Sequence, residues 1–169
     1  FSAFVVDLSG VAAEVVHRFD RWNWFELKQV TILFGLLFTA IACIIMGTGV
    51  PTTPTYIILA AIVAPALAQL GVPQLATHFF VFYYGVLADV TPPVALAAYA
   101  AAGIARSEPM GTGVTAFRLS MGKALVPFAF VYAPSLLFID FTWGAFALAL
   151  SGAVIAIIGL GAAYAGYCG

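Results

Sequence analysis

Met46-Gly47-Thr48-Gly49-Val50-Pro51-Thr52-Thr53-Pro54-Thr55 lies in the middle of a stretch, Gln29 to Ala88, that contains no Asp, Glu, Lys or Arg. An uncharged run of that length suits a bilayer, yet a plain transmembrane helix has no use for clustered glycines, prolines and threonines. In hydrocarbon every backbone N–H and C=O needs an internal partner, so a segment that cannot stay helical persists only where protein buries it or where it lines a polar cavity. The cluster is therefore expected to form part of a binding site inside a membrane protein.

Composition points the same way. Of the 169 residues, 64% are hydrophobic and 8% charged, and the mean hydropathy is +1.10; a soluble domain carries about 25% charged residues. One aqueous core could not hide so much apolar surface, so lipid is the expected solvent. Six basic and seven acidic residues give a net charge of −1, which offers neither nucleic acid nor an anionic lipid surface a basic face. Cys43 lies in apolar sequence and Cys168 is next to last; they give no metal-ligand spacing and no convincing disulfide, and read as small apolar fillers.

The opening, Phe1-Ser2-Ala3-Phe4-Val5-Val6-Asp7, reads as the tail of a helix that began earlier, and it lacks the basic n-region of a signal peptide. The expectation is a C-terminal part of a larger permease or of a processed chain. Glu14 to Lys28 then gathers nearly half of the charges, with Trp22, Trp24 and Phe25 interleaved. Mixed charge with Trp marks an interfacial loop or surface helix. His17 within it reads as solvated, since no second ligand stands at a metal spacing.

Val30 to Met46 predicts a helix of about 25 Å at ~1.5 Å per residue, slightly short of a crossing. The glycine-threonine cluster ends it, Thr52 or Thr53 is the expected cap of the next helix, and Pro54 suits its first turn. That helix runs to a stop at Gly71-Val72-Pro73. Two short arms around a non-helical tip describe a re-entrant hairpin, or alternatively one broken, tilted span. A second break follows: the aromatic helix Gln74 to Ala88 meets Asp89-Val90-Thr91-Pro92-Pro93 before small residues resume from Val94 to Ala105. The residue before each proline is pushed out of the α region, so no helix passes through unbroken. The small residues after it let a neighbouring backbone come close. Arg106 to Lys123 reads as an interfacial helix, followed by a short span over Ala124 to Ile139 and a transmembrane helix from Phe141 to Tyr164. Three basic residues in each charged loop leave the orientation open.

Each break offers unpaired carbonyls at one helix end and N–H groups at the other. Carbonyls and threonine hydroxyls suit a small hard cation, and the N–H end with its positive dipole suits a carboxylate. Discontinuous helices in secondary transporters hold coupling ion and substrate in this way. Asp89, the one acidic residue between Lys28 and Arg106, is a functional candidate because an intramembrane carboxylate is costly. It could ligate a cation, carry a proton, hold the Thr91 loop, or merely cap the half-helix starting near Pro92. Gly47-Thr48-Gly49 could equally serve tight helix packing, although the prolines and threonines beside it favour a site. His78 sits among aromatics and reads as a packing histidine, with a proton relay as the alternative. No Ser/His or His/Glu motif accompanies Asp89, which argues against an intramembrane enzyme.

Three long stretches, MGTGVPTTPTYIILAAIVAPAL, FVFYYGVLADVTPPVALAAYAAAGIA and GTGVTAFRLSMGKALVPFAFVY, resemble the large permease subunit of the TRAP (tripartite ATP-independent periplasmic) transporters, most closely the fused-permease branch that pairs with TAXI-type binding proteins. The resemblance runs from about Phe34 to Phe138. It implies an all-α integral membrane protein of hairpins and discontinuous helices, with this chain forming the second repeat of an inverted-repeat, elevator-type transporter. It further implies sodium-coupled uptake, without ATP hydrolysis, of small organic acids handed over by a periplasmic binding protein. The implied setting is the bacterial or archaeal cytoplasmic membrane, with a small membrane subunit fused upstream.

On this resemblance Gly47, Thr48, Gly49, Val50, Pro51, Thr52 and Thr53 of the first break, with Asp89, Val90, Thr91, Pro92 and Pro93 of the second, would form the substrate and ion site. Gly47, Gly49, Thr52, Asp89 and Thr91 are the candidates for sodium, the coupling ion; no other cofactor is implied. The expected organisation is a helix end and charged loop over 1–28, a transport core with both breaks over 29–105, a connector over 106–123 and C-terminal helices over 124–169. A channel or a non-transporting scaffold subunit is the competing reading.

Overall fold

The computed structural model describes residues 2–19 and 26–165, and among these the regular structure is entirely helical. Trp22, Trp24 and Phe25 of the charged segment and Cys168 lie outside the described residues, as does the side chain of His17. Eight α-helices follow in order: α1 Ser2–Phe19, α2 Leu27–Gly47, α3 Thr52–Gln69, α4 Gln74–Ala88, α5 Leu96–Ala105, α6 Pro109–Ala124, α7 Val126–Tyr132 and α8 Trp143–Ala165. A 3-10 turn over Pro134–Leu137 links the last two.

The interior is organised by small residues. Along α2, Gly35, Thr39, Cys43 and Gly47 recur every fourth residue and all are buried, so they form one narrow stripe. In lipid, helices associate through close packing of small residues because the solvent is as apolar as the side chains. The stripe is used at both its ends. The Leu70 side chain occupies the space where a Cβ on Gly35 would stand. At the other end, a Cβ on Gly47 would fall 2.7 Å from the Ala88 Cβ and 3.2 Å from Thr55 Cγ2. These contacts make α2 and α3 an antiparallel hairpin with Thr48–Pro51 at its tip.

The turn after α3 is a Schellman motif. Gly71 takes a φ of +83°, the Val72 amide donates to the Leu67 carbonyl at 3.0 Å and the Gly71 amide to Ala68 at 3.0 Å. Pro65 sits within α3 without ending it. The reversal at Gly71 returns the chain along α3, so that α4 lies parallel to α2 and ends on the same side. Leu36, Leu59, Val63, Leu67, Phe80 and Val81, all fully buried, fill the space between the three helices.

Aromatic rings then bind α7 to α4. Phe128 meets Phe80 edge-on at 5.4 Å and Tyr84 at 6.3 Å between centroids, and Phe130 takes Phe79 and Tyr83 at 5.7 and 5.8 Å. The Tyr84 hydroxyl donates to the Ala124 carbonyl at 2.9 Å, fastening α4 to the C-terminus of α6. The aromatic run of α4 thus splits into two buried rings, Phe80 and Tyr84, and the more exposed Phe79 and Phe82.

Among the described residues, four segments are long and apolar enough to cross a membrane: Leu27–Gly47, Thr52–Gln69, Pro109–Tyr132 and Trp143–Ala163. Several sequence expectations are corrected here. The first arm is not short, because Leu27, Lys28 and Gln29 join it and nothing before Gly47 breaks it; its 21 residues reach about 32 Å at ~1.5 Å per residue. The span expected over Ala124 to Ile139 does not form as one helix. Val126–Tyr132 instead extends α6, with Leu125 in helical φ/ψ between them, and Pro134 then diverts the chain into the 3-10 turn. Between Trp143 and Ala163 no residue of α8 is fully buried by the rest of the chain, although Phe146 packs on Phe138 and Phe141.

The packing at Gly47 and Gly85 gives a contrast to measure. A Cβ on Gly85 would find its nearest neighbour, Thr55 Cγ2, at an ordinary 3.5 Å. Gly47→Ala should therefore destabilise by ~1–3 kcal/mol through overpacking against Ala88, while Gly85→Ala should be close to neutral. Thermal unfolding in detergent checks this, and equal midpoints for the two variants would refute the close approach of α2 and α4.

Candidate functional site: two helix breaks in contact

Because α2 and α4 run parallel and end side by side, the two breaks are brought together although some forty residues separate them in sequence. Gly47 packs on Ala88, with the Gly85 carbonyl 3.5 Å from its Cβ position. Two residues further on, the Cβ position of Gly49 is 3.7 Å from Val94 Cγ1. Three helix ends meet here: the C-termini of α2 and α4 and the N-terminus of α3.

At the first break, Thr48 and Val50 are half-buried and Gly49 and Pro51 exposed. Gly49 has a φ of +80°, a left-handed conformation that glycine adopts without the steric cost other residues bear. The Thr48 hydroxyl donates to the Ile45 carbonyl at 2.7 Å and the Thr55 hydroxyl to the Val50 carbonyl at 3.2 Å. The cap expected from Thr52 or Thr53 is not made. Pro51, extended at φ −56° and ψ 148°, is the N-cap, with no side-chain hydrogen bond. Thr52 and Thr53 open the helix and Pro54 occupies its first turn, as expected for a residue without an N–H.

The second break is stitched by backbone. Asp89, Val90 and Thr91 donate their amides to Val86, Leu87 and Ala88 at 3.1–3.2 Å, and the Ala97 amide crosses the break to the Asp89 carbonyl at 3.2 Å. Thr91 is buried and its hydroxyl donates to the Leu87 carbonyl at 2.8 Å. The Pro92–Pro93 bond is cis, and the Pro93 carbonyl accepts from the Tyr99 hydroxyl at 2.6 Å. Helix α5 begins later than the sequence suggests. Val94 still belongs to the turn, and Ala95, fully buried at a φ of +30°, is the N-cap. No side chain hydrogen-bonds at that cap, so the capping role considered for Asp89 is not seen; Asp89 instead ends α4, half-buried.

The chemistry follows from where the protons go. Thr48, Thr55 and Thr91 each give their proton to a carbonyl at a break, which leaves their oxygen lone pairs as acceptors. The C-termini of α2 and α4 add partial negative charge, and the α3 N-terminus adds partial positive charge beside them. Such an arrangement favours a hard cation near the α2 and α4 ends and an anion near Thr52 and Thr53. Among the described residues no group of three or more His, Cys, Asp or Glu side chains stands together, so oxygen ligands from Thr and backbone are what the breaks present.

His78 lies away from both breaks. Its Nδ1 is 3.1 Å from the Tyr56 hydroxyl, between α3 and α4. Thr55, Gly85, Ala88 and Val94, which form the contact between the breaks, are not among the candidates read from the sequence. Only the spacing of Gly85 and Ala88, small residues at a helix end, hinted at them, and nothing in the sequence paired that end with Gly47.

Residues 3–145 match the family model described as the Tripartite ATP-independent periplasmic transporter, DctM component. No curated protein and no solved structure matches the chain. The matched segment contains both breaks, all of α1–α7 except the first residue of α1, and the start of α8. On this match and its four candidate spans, the chain belongs to the DctM family of TRAP transporter permeases, multi-pass proteins of the cytoplasmic membrane that are not enzymes and that carry out secondary transport with a periplasmic binding protein and a DctQ-like membrane partner.

Proposed function

We propose that this chain provides half of the ion and substrate site of a sodium-coupled importer of small organic acids. The observation that carries the reading is the contact between the two breaks: Gly47 against Ala88 and Gly49 beside Val94 set two carbonyl-bearing helix ends and one amide-bearing end around one place. The sodium candidates Gly47, Gly49, Thr52, Asp89 and Thr91 all belong to these two segments. Sodium needs oxygen ligands and a carboxylate needs N–H donors, and both occur there.

In this reading the α2–α3 hairpin is re-entrant and moves with α4 and α5 as an elevator domain over 29–105. Residues 106–123 connect it to C-terminal helices over 124–169, and 1–28 are a helix end with an interfacial loop. The chain is the second, C-terminal repeat of the fused, TAXI-type branch, with the small membrane subunit ahead of it and the first repeat completing the site.

The test is uptake of labelled organic acids into proteoliposomes that hold the complete permease, with its binding protein outside, with and without an inward sodium gradient. Uptake is expected to need both. Uptake that ignores sodium and the binding protein would sink the mechanism in favour of a channel. Gly49→Leu and Thr91→Leu should each abolish uptake while membrane insertion is retained, and transport that survives both would put the site elsewhere. Asp89→Asn should raise the sodium concentration for half-maximal uptake about tenfold, equivalent to ~1.4 kcal/mol. An unchanged sodium dependence would remove Asp89 from the ion site.

A further inference from the structure

Between α4 and the α6–α7 segment lies a cavity of about 630 Å³, within the ~300–1,000 Å³ range of small-molecule sites. Val90, the residue between Asp89 and Thr91, is in its wall, so the cavity reaches the start of the second break. The α4 side supplies Phe82, Tyr83 and Tyr84, and the α6 side supplies Ser120 and Lys123. Lys123 is the one charged residue in the lining, which contains no Asp or Glu. It stands in the last turn of α6, just before Leu125, through which the helix runs on into α7.

The hydroxyls of the wall are unequal. Tyr84 donates to the Ala124 carbonyl at 2.9 Å and Ser120 to the Phe117 carbonyl at 2.8 Å, so their protons are committed. Tyr83, held by its edge contact with Phe130, makes no hydrogen bond to another described residue. An ammonium and a phenol therefore remain as donors on otherwise aromatic and aliphatic walls. That set matches one carboxylate attached to an apolar body. A second carboxylate, or the hydroxyls of a sugar acid, would be desolvated against Phe82 and Val90 with nothing to pair them.

We infer that this cavity is the substrate subsite of the permease and that it selects monocarboxylates with an apolar body, Lys123 pairing the carboxylate and Tyr83 donating a hydrogen bond to it. The inference rests on the reading above that the permease carries organic acids, and it narrows their class. The lining contains none of the proposed cation ligands, so in this subsite Lys123 would receive the acid apart from the ion site and the α3 N-terminus at the two breaks.

Calorimetric titration of the complete permease in detergent, in saturating sodium, tests it with phenylacetate, phenylacetamide and succinate as probes. Phenylacetate is expected to bind saturably and at least tenfold more tightly than either of the others. Lys123→Gln should weaken phenylacetate at least tenfold and leave phenylacetamide unchanged, Lys123→Arg should stay within about threefold of wild type, and Tyr83→Phe should cost an intermediate factor. Absence of saturable phenylacetate binding, tighter binding of succinate, or binding indifferent to both Lys123→Gln and Tyr83→Phe would overturn the proposal. Loss of co-purifying phosphatidylglycerol in Lys123→Gln, with phenylacetate affinity intact, would overturn it too and assign the lysine to a lipid headgroup. Sodium- and binding-protein-dependent uptake that persists in Lys123→Gln with unchanged half-saturation would leave the transport reading standing while this subsite falls; uptake needing neither sodium nor the binding protein in wild type would bring down the transport reading itself.

Discussion

In a bilayer, an unpaired backbone amide or carbonyl has no water to turn to, and the arrangement of this protein follows from how it meets that constraint at two places. Both breaks expose backbone that a continuous helix would have satisfied. Each is repaired locally: Thr48 and Thr55 serve carbonyls around the first, and Thr91 with the amides of Asp89, Val90 and Ala97 serves the second. The repair is also mutual, because the breaks lie against one another, each forming part of the other's protein surroundings. A break with neither kind of support would revert to helix or be expelled from the hydrocarbon.

That contact depends in turn on side-chain size along α2. The fourfold recurrence of Gly35, Thr39, Cys43 and Gly47 lets α3 lie close along the helix at one end and α4 at the other. The reversal at Gly71 makes α4 parallel to α2, which is what brings two C-termini, and not a C-terminus and an N-terminus, to the same side. Two parallel helix ends add their partial negative charges, whereas an antiparallel pair would cancel. The cation-favouring character of the site is thus a consequence of topology and of glycine placement together. Threonine is the residue that suits such a place: its hydroxyl mends a carbonyl and still presents lone pairs to an ion.

The aromatic clasp between α4 and α7 has a second effect. By holding the α6–α7 segment against α4, it brings Lys123, Tyr83 and Val90 into the wall of one cavity, so a charged group and an apolar wall occur together. The exposed length of α8 shows that the chain offers more apolar surface than it covers by itself, as a lipid-embedded protein does.

Much of this was legible in the linear chain. The uncharged run from Gln29 to Ala88 determined the solvent, and the prolines at 51, 54, 92 and 93 determined where helices cannot continue, because proline acts through its own ring and its missing amide and needs no distant partner. Helix ends were less legible. Leu27 and Lys28 read as part of a charged loop although nothing in them opposes helix, and the cap falls to Pro51 while the Thr55 hydroxyl mends the break from within the helix. What only the tertiary structure decided is which ends meet. Gly47 beside Ala88, Gly49 beside Val94 and Lys123 in one cavity wall with Tyr83 join residues some forty or more positions apart, set by the sum of many small packing contacts, and no local periodicity encodes that sum.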